Sequence, residues 1–231
     1  MRTPGHDLLL VRGFLFAEGV VRGVHDVGRI AHCGRPTDEG HGNTIDVLPG
    51  PGVALDPDRL AMSRRGTLTT SACGVCGRIA VDDLLARIGA LPIIDRVSLD
   101  LVRQSTAQLS DDQMNFARTG GVHAAAALCR EGEVLATAED VGRHNAVDKV
   151  VGALLRTGRR DRAAILAVSG RASFEIVQKA AVARIPVVAA VSAPTSLAVD
   201  VARRLGLTLC GFVRDGRLNV YAHPERLGVV D

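Results

Sequence analysis

Ala163-Ala164-Ile165-Leu166-Ala167-Val168-Ser169-Gly170-Arg171-Ala172-Ser173 is the stretch from which the fold can be read. Its first six residues are apolar without alternation, as a strand covered on both faces requires. The small polar residues that follow suit a loop and a helix start. A second buried strand is expected at Val187–Val191, with helices over Ala172–Arg184 and over Thr195–Leu205, the latter begun near Pro194. Upstream, Asp140–Leu155 predicts an amphipathic helix: Val147, Val150, Val151, Leu154 and Leu155 recur at helical spacing, and Gly158 stops it. Before it, His123–Cys129 and Val134–Ala138 flank Glu131-Gly132-Glu133 as an antiparallel pair. Downstream, Leu207–Val213 and Leu218–Ala222 surround Asp215-Gly216, a strong hairpin signal. The order β-β-α-β-α-β-α-β-β predicts an α/β fold, a mixed sheet with helices on its faces joined by right-handed crossovers.

The amino-terminal half has a different texture. Asp7–Glu18 is almost wholly apolar and ends at Gly19, a good residue for a helix terminus. Short strands are expected at Val27–Cys33 and Thr44–Leu48, followed by a stretch punctuated by Pro49, Pro51 and Pro57. Helices are expected at Asp58–Arg65, Asp82–Ile88 and Leu99–Leu109, with a fourth, Asp111–Arg118, capped by Ser110. The change after Thr119-Gly120-Gly121 places a boundary there. Residues 1–118 form a smaller α+β domain, and residues 119–231 carry the mixed sheet.

Composition narrows the function. The chain is 47% hydrophobic but only 3% aromatic, so its core must be built from Ala, Val, Leu and Ile. A formal charge of +3 does not suggest a duplex-binding protein. No apolar run is long enough to span a bilayer, and the first residues lack the apolar stretch of a signal peptide. Five scattered cysteines do not form a secreted disulfide framework, so a reducing cytoplasm is the natural compartment.

The chemistry concentrates in Cys73-Gly74-Val75-Cys76-Gly77, flanked by Arg64, Arg65 and Arg78. Two thiols at this spacing can hold a metal, cycle as a disulfide or carry sulfur as a persulfide. A structural zinc site wants two such pairs, and the remaining candidates, Cys33, His123, Cys129 and His144, are not spaced as one. A thioredoxin-like pair sits between a strand and a helix, whereas this one falls between predicted helices. Nearby arginines lower a thiol's pKa and favour the nucleophilic thiolate, which suits sulfur transfer; a surface loop with incidental cysteines remains the plain alternative. His144 and Asp148 stand four apart, as an acid/base pair or an ordinary helical contact. Ser169–Ser173 offers free amides and Arg171 to a phosphate. Phe212-Val213-Arg214-Asp215-Gly216-Arg217 reads as a solvated hairpin tip.

These motifs, together with Arg2-Thr3-Pro4-Gly5, Gly121-Val122-His123-Ala124-Ala125, Glu139–Lys149, Gln178-Lys179 and Val191-Ser192-Ala193-Pro194-Thr195, resemble the formate dehydrogenase accessory sulfurtransferase family over essentially the whole chain. The resemblance implies a protein that accepts sulfur from a cysteine desulfurase and passes it to the molybdenum of a bis-guanine-dinucleotide cofactor destined for the formate dehydrogenase catalytic subunit. It implies a Cys73 persulfide assisted by Cys76, and a cofactor nucleotide bound by Phe212, Val213, Arg214, Asp215, Gly216 and Arg217, with Arg171 beside it. It further implies a homodimer, with no zinc, nucleic acid or membrane. The carboxy-terminal half resembles the cytidine-deaminase fold. Zinc deaminases carry H-x-E and P-C-x-x-C; the corresponding stretches here are His144-Asn145-Ala146 and Ser169-Gly170-Arg171-Ala172, so deamination is not expected. Family members usually begin with several dozen residues ahead of Arg2-Thr3-Pro4-Gly5, so a shortened or late-assigned start is expected. Two rivals remain, a non-catalytic cofactor-binding chaperone and a structural zinc module.

Overall fold

The computed structural model describes residues 1–35, 37–38, 41–55, 82, 84–93, 96–107, 109 and 119–228. The predicted helices over 58–65 and 111–118, and the Cys73/Cys76 loop, lie outside them. In chain order the elements are α1 (Asp7–Ala17), β1 (Val27–His32), β2 (Ile45–Pro49), α2 (Leu99–Gln104), β3 (His123–Leu128), β4 (Val134–Asp140), α3 (Arg143–Thr157), β5 (Ile165–Val168), α4 (Phe174–Val182), β6 (Val187–Ala190), α5 (Ser196–Leu205), β7 (Thr208–Arg214) and β8 (Arg217–Ala222). β1 and β2 pair as a separate antiparallel ribbon, and the other strands form one sheet in the order β4-β3-β5-β6-β7-β8. Its centre, β5-β6-β7, is parallel; β4-β3, β3-β5 and β7-β8 are antiparallel.

The mixed sheet is covered on both faces. Every residue of β5 and β6 is buried. Alternate residues point to opposite sides, so Leu166, Val168, Val188 and Ala190 join one apolar cluster with α3, α4 and α5. Ile165, Ala167, Val187 and Ala189 join another with Val97, Val102, Leu109 and Leu227. Each fully buried aliphatic side chain contributes about 1.5–3 kcal/mol, and here Val, Leu and Ile supply it without tryptophan.

α1 crosses α3 at two glycines. A Cβ at Gly13 would stand 2.7 Å from the Asp148 carbonyl carbon, and one at Gly152 would stand 2.8 Å from that of Leu9. Leu9 and Gly13 are one turn apart, as are Asp148 and Gly152, so the helices run antiparallel with backbone against backbone. The residues before α1 continue this contact. Thr3 donates its amide to Asp140 Oδ2 (3.1 Å), its hydroxyl accepts from Val141 N (2.8 Å), and its carbonyl accepts from Lys149 Nζ (3.0 Å). Lys149 also pairs with Asp140 at 2.7 Å, both side chains being buried.

That contact corrects one prediction. Asp140 ends β4 and does not begin the helix; α3 starts three residues later, because the Asp140 carboxylate accepts from Gly142 N and Asn145 Nδ2 and turns the chain there. α2 is likewise shorter than the predicted Leu99–Leu109. It stops at Gln104, where Ser105 bonds back to the Val102 carbonyl and Thr106 turns away to bond the carbonyl of Val213 on β7. The stops at Gly19 and Gly158 lie at φ of 74° and 66°, in the left-handed region that glycine enters without cost. Among the described residues, no helix is long and apolar enough to cross a membrane.

Candidate functional site

Ligands of open α/β sheets bind where the parallel strands end at their carboxyl edge. Three loops lie side by side there. The β5–α4 loop pairs with the β6–α5 loop through an Ala172–Pro194 bridge and a bond from Thr195 N to the Ala172 carbonyl (3.0 Å). The β6–α5 loop in turn meets β7: Phe212 donates its amide to the Ser192 carbonyl at 3.3 Å. Gly211 fits beneath Pro194 because a Cβ there would come within 2.8 Å of the proline ring. The three loops therefore form one continuous shelf.

At one end of the shelf is the β7–β8 hairpin. Asp215 (φ 52°) and Gly216 (φ 70°) are both left-handed, as a type I′ two-residue turn requires. Gly211 pairs with Asn219 and Arg214 with Arg217, so Phe212 and Val213 together oppose Leu218 as a bulge. The bulge forces Phe212 to φ 54°, a conformation that costs a non-glycine residue about 1–2 kcal/mol. Thr106 holds the bulge from the other side through the Val213 carbonyl. Val213 is buried, while Phe212, Arg214, Asp215, Arg217, Leu218 and Asn219 line an open pocket of about 620 Å³. An exposed aromatic face beside two arginines suits a base and its phosphates.

At the other end, His123, Arg143, His144 and Arg171 gather around the start of α4. His144 Nε2 lies 2.9 Å from Ser173 Oγ and 2.8 Å from Glu175 Oε2. A Ser–His–acid relay needs the acid on the other ring nitrogen. Here both partners compete for one atom, so this is not a hydrolase triad. Hydrogen bonding to His144 holds the Glu175 carboxyl below its usual range. Burial holds the His123 imidazole below its own, reinforced by Arg143, His144 and Arg171. His144 and Asp148, at helical spacing, form no ion pair with each other: Asp148 pairs with Lys179 at 2.7 Å and His144 with Glu175 at 2.8 Å.

The cysteines among the described residues are poor nucleophiles. Cys129 is buried, and burial pushes the Cys210 thiol up to about 12. Cys33 is exposed, but donation to the Asp46 carboxylate raises its thiol.

The model of the FdhD/NarQ family matches residues 1–228. The chain belongs to that family. Among curated FdhD/NarQ relatives, the sulfur carrier protein FdhD of Anaeromyxobacter dehalogenans strain 2CP-1 is 57% identical over 99% of this chain and 82% of its own length. The Streptomyces coelicolor protein of the same name is 45% identical over the same shares. A solved structure described as a formate dehydrogenase accessory protein, from Desulfotalea psychrophila, superposes with a TM-score of 0.72 over 98% of this chain and 82% of its own; at 24% identity it shows the shared fold.

Of the residues singled out from sequence, the structure brings Phe212, Arg214, Asp215 and Arg217 to one pocket, and it sets Arg171 on the same shelf. Cys73 and Cys76 lie outside the described residues. The sequence reading did not connect His123 or Arg143 with this edge. The antiparallel order could have: a strand that begins at His123 beside β5 must start where β5 ends, and α3 begins at the same edge.

Proposed function

We propose that this chain is a sulfur carrier for the maturation of formate dehydrogenase, taking sulfur from a cysteine desulfurase as a persulfide on Cys73. The observation that carries this reading is its 57% identity, over nearly its full length, to a protein named as a sulfur carrier. The described thiols favour it by exclusion, because burial or a carboxylate disarms Cys33 and Cys210 and Cys129 is enclosed. The step is a thiolate displacement. Cys73–S⁻ attacks the outer sulfur of the donor's R–S–SH, the donor's S–S bond breaks, and the products are Cys73–S–SH and R–S⁻. The acceptor is the molybdenum of a bis-guanine-dinucleotide cofactor, which is substrate here. The hairpin pocket holds its nucleotide, with Phe212 against the base and Arg214 and Arg217 toward phosphate oxygens. Cys76 assists release, and a homodimer in the cytoplasm that hands the cofactor to the formate dehydrogenase catalytic subunit completes the reading.

Incubating the protein with a desulfurase and cysteine should add one sulfur, about 32 Da by intact mass. Cys73→Ala should abolish the gain. Folded, reduced wild type that gains no mass would leave cofactor chaperoning without sulfur chemistry as the better reading.

The pocket itself can be tested through Phe212. Phe212→Gly removes about 1–2 kcal/mol of backbone strain and forfeits a similar amount of partial burial. Denaturant midpoints should therefore stay within about 1 kcal/mol of wild type. Affinity for guanosine diphosphate should still fall about tenfold, since stacking on one aromatic ring contributes about 1–3 kcal/mol per base. Unchanged affinity would remove the base from Phe212.

A further inference from the structure

α3, α4 and α5 end at the amino edge of β5, β6 and β7, the strands they lead into, on the side opposite the shelf. Along α3 alone, Arg143 and Arg156 are separated by about 20 Å. The amino edge is rich in arginine, and most of it is paired: Arg159 and Arg162 share Glu133, and Arg160 pairs with Asp161. Arg12 and Arg156 are left over. Among the described residues, neither forms an ion pair or a hydrogen bond. Arg12, on α1, is half-buried, and its Nε is shielded from solvent with no partner. Burial lowers the pKa of its guanidinium, and the Arg156 charge adds to the effect. Leu8 is exposed one helical turn before Arg12. Two uncompensated arginines beside apolar surface have the composition of a protein interface, where arginine is enriched and lysine is not.

The same edge anchors the chain that follows the cysteine pair. Asp82 stands six residues after Cys76 and pairs with Arg204 near the end of α5. Beyond it, Arg184 donates to the Ile88 carbonyl (3.0 Å) and Leu91 N to the Leu205 carbonyl (2.7 Å), at the ends of α4 and α5. Six residues of chain span at most about 20 Å, which tethers the pair to this edge. On the reading that the chain takes sulfur from a cysteine desulfurase, we infer that Arg12 and Arg156 dock that donor. An acidic segment of the donor supplies carboxylates to the two guanidinium groups and apolar residues to cover Leu8. The partner that receives the cofactor must face the shelf. The donor need not, and held at the amino edge it acts while the shelf is occupied. Glu133 and Asp161, interleaved with the arginines, repel a nucleic acid or an anionic membrane, whereas a protein surface can meet them with cations of its own.

Calorimetric titration of the full chain with the desulfurase used for sulfur loading tests this. Arg12→Gln and Arg156→Gln should each raise the dissociation constant about tenfold, the loss expected for one charge-assisted bond. In the double variant the salt dependence of the affinity should flatten. Melting temperatures should not fall, because neither arginine has a partner in the fold to lose. Sulfur loading of the double variant should slow at low desulfurase concentration and recover at saturation, with guanosine diphosphate affinity unchanged. If wild type binds the desulfurase and gains sulfur, and both variants match its affinity, the docking face is overturned while the sulfur carrier stands. If binding depends on both arginines but wild type gains no sulfur, the docking face stands and the carrier falls. If wild type neither binds the desulfurase nor gains sulfur, both are overturned. Variants that change oligomeric state, or lose binding to RNA or to anionic vesicles, with desulfurase affinity intact, would assign the face to that other occupant and overturn the donor.

Discussion

Lys179→Met is expected to destabilise the protein by about 3–5 kcal/mol, because it leaves the Asp148 carboxylate buried without its cation. The pair is enclosed on all sides: Lys179 Nζ lies 2.7 Å from Asp148 Oδ1, with side-chain exposures of 7% and 4%, and the ammonium also faces the Phe14 ring. Burial already pushes the Asp148 carboxyl up to about 6, even with Lys179 opposing the shift. The sign of the pH dependence follows. Between about pH 4, where the unfolded carboxyl titrates, and about pH 6, the native state binds more protons, so the Asp148 contribution to stability falls as pH rises through that window. Without Lys179 the carboxyl rises further, and the variant's deficit should shrink as pH falls from about 8 to about 5. Denaturant titrations at both pH values measure it. Lys179→Met with Asp148→Leu should recover much of the loss, since an apolar pair often replaces a buried ion pair at little cost. A single variant as stable as wild type at the higher pH would mean that water reaches Asp148.

Gly152→Ala tests the helix crossing, where two effects have opposite signs. On an exposed helix the change stabilises by about 1 kcal/mol, from propensity. Here the new methyl would meet the Leu9 backbone of α1, with the carbonyl carbon at 2.8 Å. A backbone obstacle cannot rotate away, so the cost lies at or above the top of the usual overpacking range, about 3 kcal/mol or more. The clash wins, and a net loss of about 2 kcal/mol or more is expected, lowering the melting temperature by about 4–8 °C in a chain of this size. Melting at or above the wild-type temperature would show that α1 and α3 do not approach this closely.

Much of the sheet was legible because its signals are local. The run to Val168 has no polar alternation, so it had to be covered twice. Asp215-Gly216 had to make a tight turn, and Gly19 and Gly158 had to end helices. The errors fall where a distant residue decides. Asp140 lies at the head of an amphipathic pattern, yet Thr3, more than a hundred positions away, satisfies its carboxylate and keeps it in β4. Asp148 and His144 have helical spacing, but each takes its hydrogen-bond partner from the next crossover, Lys179 for one and Ser173 for the other. Phe212 is a poor candidate for a left-handed backbone on residue type alone. Only the bulge, anchored by Ser192 on one side and Thr106 on the other, imposes it. The hairpin arginines were visible as residues, but the pocket they line depends on that bulge.

The chain has no tryptophan and a single tyrosine. That residue, Tyr221, lies on β8 with its ring edge 3.0 Å from where a Gly211 side chain would begin, on the strand that carries Phe212. The protein's tyrosine emission therefore originates from one ring beside the hairpin pocket, with no tyrosine or tryptophan signal from the helices or the β1–β2 ribbon. The molecule carries a native optical reporter within a few residues of the pocket, and occupancy there can be followed by fluorescence without attaching a dye.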